Sequence, residues 1–328
     1  MKEGRVKFAV MADIHLDIMH DGMRRLDEFL LAADKEEVDF VIHLGDFAYP
    51  NDTSKTKCDL DRMPINVKNA YENPASVDKE AILRKYNEFH RPTYHTMGNH
   101  DFDFLSPEDA IRMYGIPNGY YSFHMNGWHF IVLDGNYWRD ADGNYVHYDC
   151  GEYFYKDLPY MNPEQLEWLR AELRETDEPV IMFSHQMLCG FERGDGAIKN
   201  SAEFLEIIGE AKSRGKDVRM CVNGHLHIDR LNERGGTLFY NVNSISNYWV
   251  DTTYEAKRYS DKTEESFPNL RYTLPYSKPV FAIVTLDSEG IFVKGMKGKF
   301  VYPGPRQLGI NNPEITPHVK SWERKWDK

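Results

Sequence analysis

The chain has 328 residues, 41% of them hydrophobic, and sets 40 Lys plus Arg against 52 Asp plus Glu for a formal charge of −12. This is enough apolar material for one large α/β domain or two small ones, and it excludes collagen-like, disordered and membrane-embedded classes. An acidic total without any Lys/Arg-rich run repels a phosphate backbone, so long nucleic acids are not expected as partners.

In chain order, residues 6–12 read as a buried strand, 22–36 as an amphipathic helix and 40–44 as a second strand. A long polar stretch, about 47–76, follows. Helical pattern returns over 77–89, a strand is expected at 93–97, and Ser106-Pro107 opens a further helix with a capping residue and Pro at its first position. Residues 120–125 and 128–134, split by Asn126-Gly127, give the strongest hairpin signal in the chain. A Gly-, Asp- and Tyr-rich insertion fills 135–162, and Asn162-Pro163 starts the next helix, running to about 175. Strands are expected at 179–183 and 218–222, around a helix at 201–213. The strand at 237–242, a polar loop at about 250–277 and two closing strands at 280–286 and 291–295 complete the pattern. Alternating β and α segments of this kind build βαβ units. The expected organisation is one domain over 1–300 with loop insertions, followed by a surface tail over 301–328.

The four cysteines, Cys58, Cys150, Cys189 and Cys221, form no CxxC pair, which suits a reducing compartment. Residues 6–12 are interrupted by Lys7 and too short for a signal segment, and no apolar run approaches the roughly 20 residues of a membrane span. The expectation is a cytoplasmic protein without a membrane segment.

Five polar clusters fall just after predicted strands: Asp13-Ile14-His15, Gly45-Asp46, Gly98-Asn99-His100-Asp101, Ser184-His185 and Gly224-His225-Leu226-His227. In open α/β sheets ligands collect outside the carboxyl ends of strands, so the five predict a single crevice. Asp, His and Asn without thiolates suit Mn, Fe, Zn or Mg. Two such ions can clamp a phosphoryl group and activate water, with Asp46 as the natural bridging carboxylate. Gly45 and Gly98 would give the backbone room to approach. Any one cluster alone is more simply a turn or a satisfied imidazole; together they have to coincide in type, order and strand-end position.

The set resembles the calcineurin-like metallophosphoesterase superfamily, whose signature runs D-x-H, G-D, G-N-H-D/E, H and G-H-x-H. With 23 Gly and 13 His, a G-H-x-H string is expected by chance only about 0.04 times in this chain. The resemblance implies a four-layer α/β/β/α sandwich of two mixed sheets flanked by helices. It implies that Asp13, His15 and His227 bind a first metal ion, that Asn99, His185 and His225 bind a second, and that Asp46 bridges them. It further implies that a metal-bound hydroxide attacks a small phosphate ester or nucleotide, that His100 assists the leaving group, and that Asp101 orients the His100 ring. Phosphodiester or nucleotide pyrophosphate cleavage at the same site is the alternative, and a non-catalytic protein-binding scaffold a more distant one.

Gly45-Asp46-Phe47-Ala48-Tyr49 also matches the G-D-x-x-Y element in which purple acid phosphatases place a tyrosinate on ferric iron. Tyr49 is thus either a ligand competing with His15 or a ring packed over the site. Eight histidines, His20, His43, His90, His95, His124, His129, His147 and His318, match no motif. The aromatics between 136 and 161 are expected to pack their own loop, with stacking on a substrate as the alternative. Arg193 and Asn200 are candidates for substrate contact.

Overall fold

In the computed structural model, residues 4–47, 79–103, 105–149, 156, 159–191 and 196–326 are described. The elements run β1 (Val6–Met11), α1 (Gly22–Lys35), β2 (Phe40–Leu44), α2 (Lys79–Asn87), β3 (Thr93–Thr96), α3 (Pro107–Tyr114), β4 (Tyr121–Met125) and β5 (Trp128–Val132). They continue with β6 (Tyr137–Arg139), β7 (Tyr145–His147), α4 (Pro163–Glu175), β8 (Val180–Ser184), α5 (Ser201–Ser213), β9 (Val218–Asn223), β10 (Arg230–Arg234) and β11 (Thr237–Asn241). The last are β12 (Asn247–Trp249), α6 (Asp261–Ser266), β13 (Thr273–Pro275), β14 (Ala282–Asp287), β15 (Gly290–Gly295) and β16 (Trp322–Lys325).

Two six-stranded mixed sheets carry the fold, one in the order β16-β15-β14-β1-β2-β3 and the other β10-β11-β9-β8-β5-β4. Strand alternation assigns each side chain to a layer. Along β1, Val6, Phe8 and Val10 face the core between the sheets, while Ala9 and Met11 face the core beneath α1. Along β5, Phe130 and Val132 enter the intersheet core, and Ile131 turns to the core under α4 and α5. The outer cores hold Leu26 and Phe29 of α1 on one side, and Leu166 and Leu169 of α4 with Phe204 of α5 on the other. The result is the four-layer α/β/β/α sandwich that the resemblance implies. Among the described residues no helix is long and apolar enough to cross a membrane.

Local chemistry sets the boundaries. Ser106 Oγ accepts from Asp109 N at 3.2 Å with Pro107 at the first position, and Asn162 Oδ1 accepts from Gln165 N at 2.8 Å ahead of Pro163. The β4–β5 turn holds Asn126 at φ 51° and Gly127 at φ 79°, the two left-handed residues that a tight hairpin turn requires.

Two expectations change. The stretch 301–328 is not only a surface tail, because β16 pairs antiparallel with β15 and forms the edge of the first sheet. Nor is 250–277 a plain loop: β12, just before it, pairs with β13, near its end, as a small separate sheet, and α6 lies between them in the chain.

Candidate metal centre

Asp13 follows β1, Asp46 follows β2, Asn99 follows β3, His185 follows β8, and His225 and His227 follow β9. Strands β1, β2 and β3 run parallel in one sheet, as do β8 and β9 in the other, so their carboxyl ends open on the same crevice. Two groups of ligand atoms assemble there, Asp13, His15 and His227 in one, Asp46, His185 and His225 in the other, each with its atoms within 4.8 Å of one another. Asn99 Oδ1 lies 3.1 Å from His185 Nε2 and joins the second group. Asp46 stands between them, with Oδ2 3.2 Å from His185 Nε2 and 3.9 Å from His15 Nε2.

Backbone conformation delivers these side chains at a cost. Among the described residues seven non-glycines have positive φ, and five of them are Asp13, His15, Asp46, His225 and His227, at 47–72°. A β-carbon disfavours this region, so such residues persist only where the surroundings hold them. The close approach also explains two glycines. A Cβ on Gly45, itself at φ 89°, would sit 2.6 Å from His185 Nδ1, and a Cβ on Gly98 would overlap Asp46 Oδ1 and N.

Carbonyl oxygens fix two of the imidazoles. His185 Nδ1 donates to Leu44 O at 2.7 Å and His227 Nδ1 to Asn247 O at 2.6 Å, leaving both Nε2 atoms directed into the crevice. His227 Nε2 faces His15 Nε2 at 3.2 Å and Asp13 Oδ1 at 3.4 Å, and among the described residues this buried oxygen accepts no hydrogen bond. Imidazole lone pairs and an orphaned carboxylate oxygen converging in a buried space fit a cation.

Charge in the crevice is correspondingly strained. Burial pushes the His15 imidazole down to about 3 against the pull of Asp46, and burial together with His185 takes His225 to about 3. Burial opposes the charged form of His185 too, yet the Asp46 carboxylate outweighs it and raises this ring to about 9. Asp46 itself is held well below the usual carboxylate range, because His185 and His100 outweigh its burial.

His100 lies at the rim, its side chain 16% exposed, on a 3₁₀ turn formed by Asn99–Phe102. Its backbone N–H donates to Asp46 Oδ1 at 2.9 Å. The expectation that Asp101 orients this ring is not met: the carboxylate on His100 Nδ1 is that of Asp103, with Oδ2 at 2.7 Å. Three residues complete one 3₁₀ turn, so positions 100 and 103 eclipse while 101 points elsewhere. Asp101 instead accepts from the backbone N–H groups of Asp46, Phe47 and Gly98 at 2.7–2.9 Å and from the Tyr114 hydroxyl. It ties the Asp46 loop to the Gly98 loop. Burial disfavours a charged His100, but Asp103 and Asp46 outweigh it and push this imidazole up to about 10.

Asn200 is buried and exchanges hydrogen bonds with the Met161 backbone at 3.1 and 2.9 Å, which makes it a packing residue rather than a substrate contact. Tyr49 and Arg193 lie outside the described residues. In the aromatic insertion, Tyr148 is fully buried, Tyr145 packs edge-on against Tyr160, and Tyr137 packs against His147, so these rings hold their own loop. Sequence reasoning missed Asp103, whose signal is the i, i+3 spacing from His100. It also missed Trp249, whose ring lies 5.4 Å from His15 and 6.2 Å from His227.

A four-layer fold with paired His/Asp groups at its strand ends defines a metal-binding hydrolase class. A sequence model of the calcineurin-like phosphoesterases matches residues 6–229, about two thirds of the chain, and the chain belongs to this family. Among solved structures it is similar to a dimetal phosphatase from Danio rerio, at 16% identity and a TM-score of 0.61, covering 90% of this chain and 98% of that one. PhoD gives 14% identity and a TM-score of 0.54 over 93% of this chain and 68% of its own. GAP50, an anchor in the inner membrane complex of Plasmodium, gives 14% and 0.50 over 98% and 88%. These likenesses concern the fold. Compared with curated protein sequences, the chain finds no match.

Proposed function

We propose that the chain hydrolyses a small phosphate ester, with Asp13, His15 and His227 holding one cation, Asn99, His185 and His225 a second, and Asp46 shared between them. The observation that carries this reading is the position of the Asp46 carboxylate, within 3.9 Å of an imidazole nitrogen from each group. When bound, two such cations draw charge from the phosphoryl oxygens and bring water towards ionisation near neutral pH. Mn, Fe, Zn and Mg all suit the donor set.

The chain's own residues supply the rest. Asp103 keeps a proton on His100 Nδ1, which orients the ring and leaves Nε2 as the atom that hands a proton to the departing oxygen. Asp101 keeps the Asp46 and Gly98 loops in register, so that the shared carboxylate and the proton donor act from one rigid turn. The buried ligand shell keeps bulk water from competing for the same oxygens. A cytoplasmic location belongs to this proposal and is supported by the sparse cysteines, four in 328 residues with no CxxC pair.

The test is metal analysis of the purified protein, followed by turnover of p-nitrophenyl phosphate, its bis-ester and a nucleotide panel. His100→Ala is expected to lower kcat by roughly 10²–10⁴-fold with metal content intact, whereas Asp46→Ala loses metal. Unchanged turnover in both variants contradicts the mechanism. Faster cleavage of the bis-ester or of pyrophosphate-linked nucleotides assigns the site to diesters or pyrophosphates instead, and a metal-loaded protein that turns over none of these is a binding scaffold.

A further inference from the structure

The chain has six tryptophans. Trp128 lies in the intersheet core, Trp322 and Trp326 pack against it, and Trp138 and Trp168 pack against the two outer cores. Trp249 belongs to none of these clusters. It is partly exposed, and the rings beside it are His15, edge-on at 82°, and His227, tilted at 46°. The surrounding ligands Asp13, His15, Asp46, Asn99, His185 and His227 are all at most 2% exposed. Among the described residues, His100, His225 and this indole are the groups at the centre that remain partly exposed.

Its mounting is specific. Trp249 closes β12, which pairs only with β13, Trp249 opposite Thr273. Two residues earlier, and so on the same face of the strand, Asn247 gives its carbonyl to His227 Nδ1. The carboxamide of Asn247 is fully buried, and neither of its polar atoms is hydrogen-bonded among the described residues. A large aromatic left out of every core, standing on the ligand rings beside an unsatisfied amide, has the makings of a recognition wall.

We propose that Trp249 is a specificity-determining residue: its indole stacks on a planar aromatic group carried by the phosphate ester, so that the preferred substrates are aryl or nucleoside phosphates rather than alkyl ones. This deepens the phosphoesterase reading and rests on it. The described rings of the insertion at 135–162, Tyr137, Trp138, Tyr145, Tyr148 and Tyr160, do not compete for the role, since they are engaged within their own loop and with the outer core.

The test is isothermal titration of the metal-loaded protein with phenylphosphonate and methylphosphonate, two stable phosphonates that share a head group. Wild type is expected to bind the phenyl compound about tenfold more tightly, the ratio that an aromatic contact of ordinary strength gives. Trp249→Ala brings the ratio close to one and leaves methylphosphonate affinity within about twofold; Trp249→Phe, which keeps a stacking face, retains most of it. A preference undiminished in Trp249→Ala, an equal loss of both ligands in that variant, or no preference in wild type overturns the proposal while leaving the phosphoesterase reading in place. Failure of wild type to bind either phosphonate contradicts both.

Discussion

Asp101 lies within the short turn and Asp103 directly after it; the two do different work, and the difference is one of helical phase. Asp103 accepts from His100 Nδ1, a ring outside the two candidate ligand groups, so Asp103→Ala is expected to lower kcat about 10- to 100-fold, the usual cost of losing a partner of this kind, with metal content preserved. Asp101→Ala strands the Asp46, Phe47 and Gly98 N–H groups and is expected to reduce metal retention and thermal midpoint as well. Equal effects of the two variants on both readouts contradict the assignment. Gly98→Ala probes the same loop from the backbone: its Cβ would overlap Asp46, so metal retention falls even though no ligand is changed, and a variant with wild-type metal content argues against so tight an approach. The clustering of Asp13, His15, Asp46, Asn99, His185, His225 and His227 is legible in the sequence because each motif is contiguous and follows a strand. Asp103 was not, because reading it required knowing that residues 99–102 form a 3₁₀ turn and not an extended loop.

At the scale of elements, strands with β-branched and aromatic runs, such as 40–44 and 180–184, were readable within a residue or two. Those missed are short, polar or at edges. β10 reads Arg-Leu-Asn-Glu-Arg and β16 Trp-Glu-Arg-Lys, and both pair on one side only, where charged side chains guard an open edge. β12 and β13 exist because they pair with each other, a tertiary fact that no local pattern announces. β3 carries a further consequence. His95 is 1% exposed, its Nε2 pairs with Asn87 Oδ1 at 2.8 Å, and its ring is surrounded by Tyr86, Tyr114 and Phe47. Burial pushes this imidazole down to about 3 from an ordinary 6.5. Between those values the unfolded chain holds a proton that the folded chain refuses, so stability falls as pH drops from 6.5 towards 3 and levels off below. In chelator-treated protein, urea titrations between pH 4 and 6 are expected to show His95→Gln losing stability less steeply than wild type, by about 1.4 kcal/mol per pH unit. Parallel pH slopes in the two proteins contradict a buried neutral His95.

Across the whole molecule, both sheets spend their strand ends on one site. Five ligand residues sit in left-handed backbone, and imidazoles and carboxylates crowd a space closed to solvent. Both features weigh against the metal-free fold, and cations that bind only the folded chain offset them. Removing metal with a chelator is expected to lower the thermal midpoint. Restoring Mn²⁺ at about 100 times its dissociation constant should return roughly 2.7 kcal/mol per site. An unchanged midpoint shows that the ligands do not report on folding. The acidic total takes on a local meaning in the same frame, because cations in the crevice would draw an anionic ester towards a chain whose net charge is −12.

Metal titration decides whether the two candidate ligand groups make one hydrolytic centre. Stripped protein should be titrated with Mn²⁺ while hydrolysis of p-nitrophenyl phosphate and its bis-ester is followed against equivalents of metal per chain. Turnover is expected to be negligible without metal and to rise to a plateau at two equivalents. Full activity in the stripped protein, or no ester cleavage at two bound equivalents, would contradict this expectation.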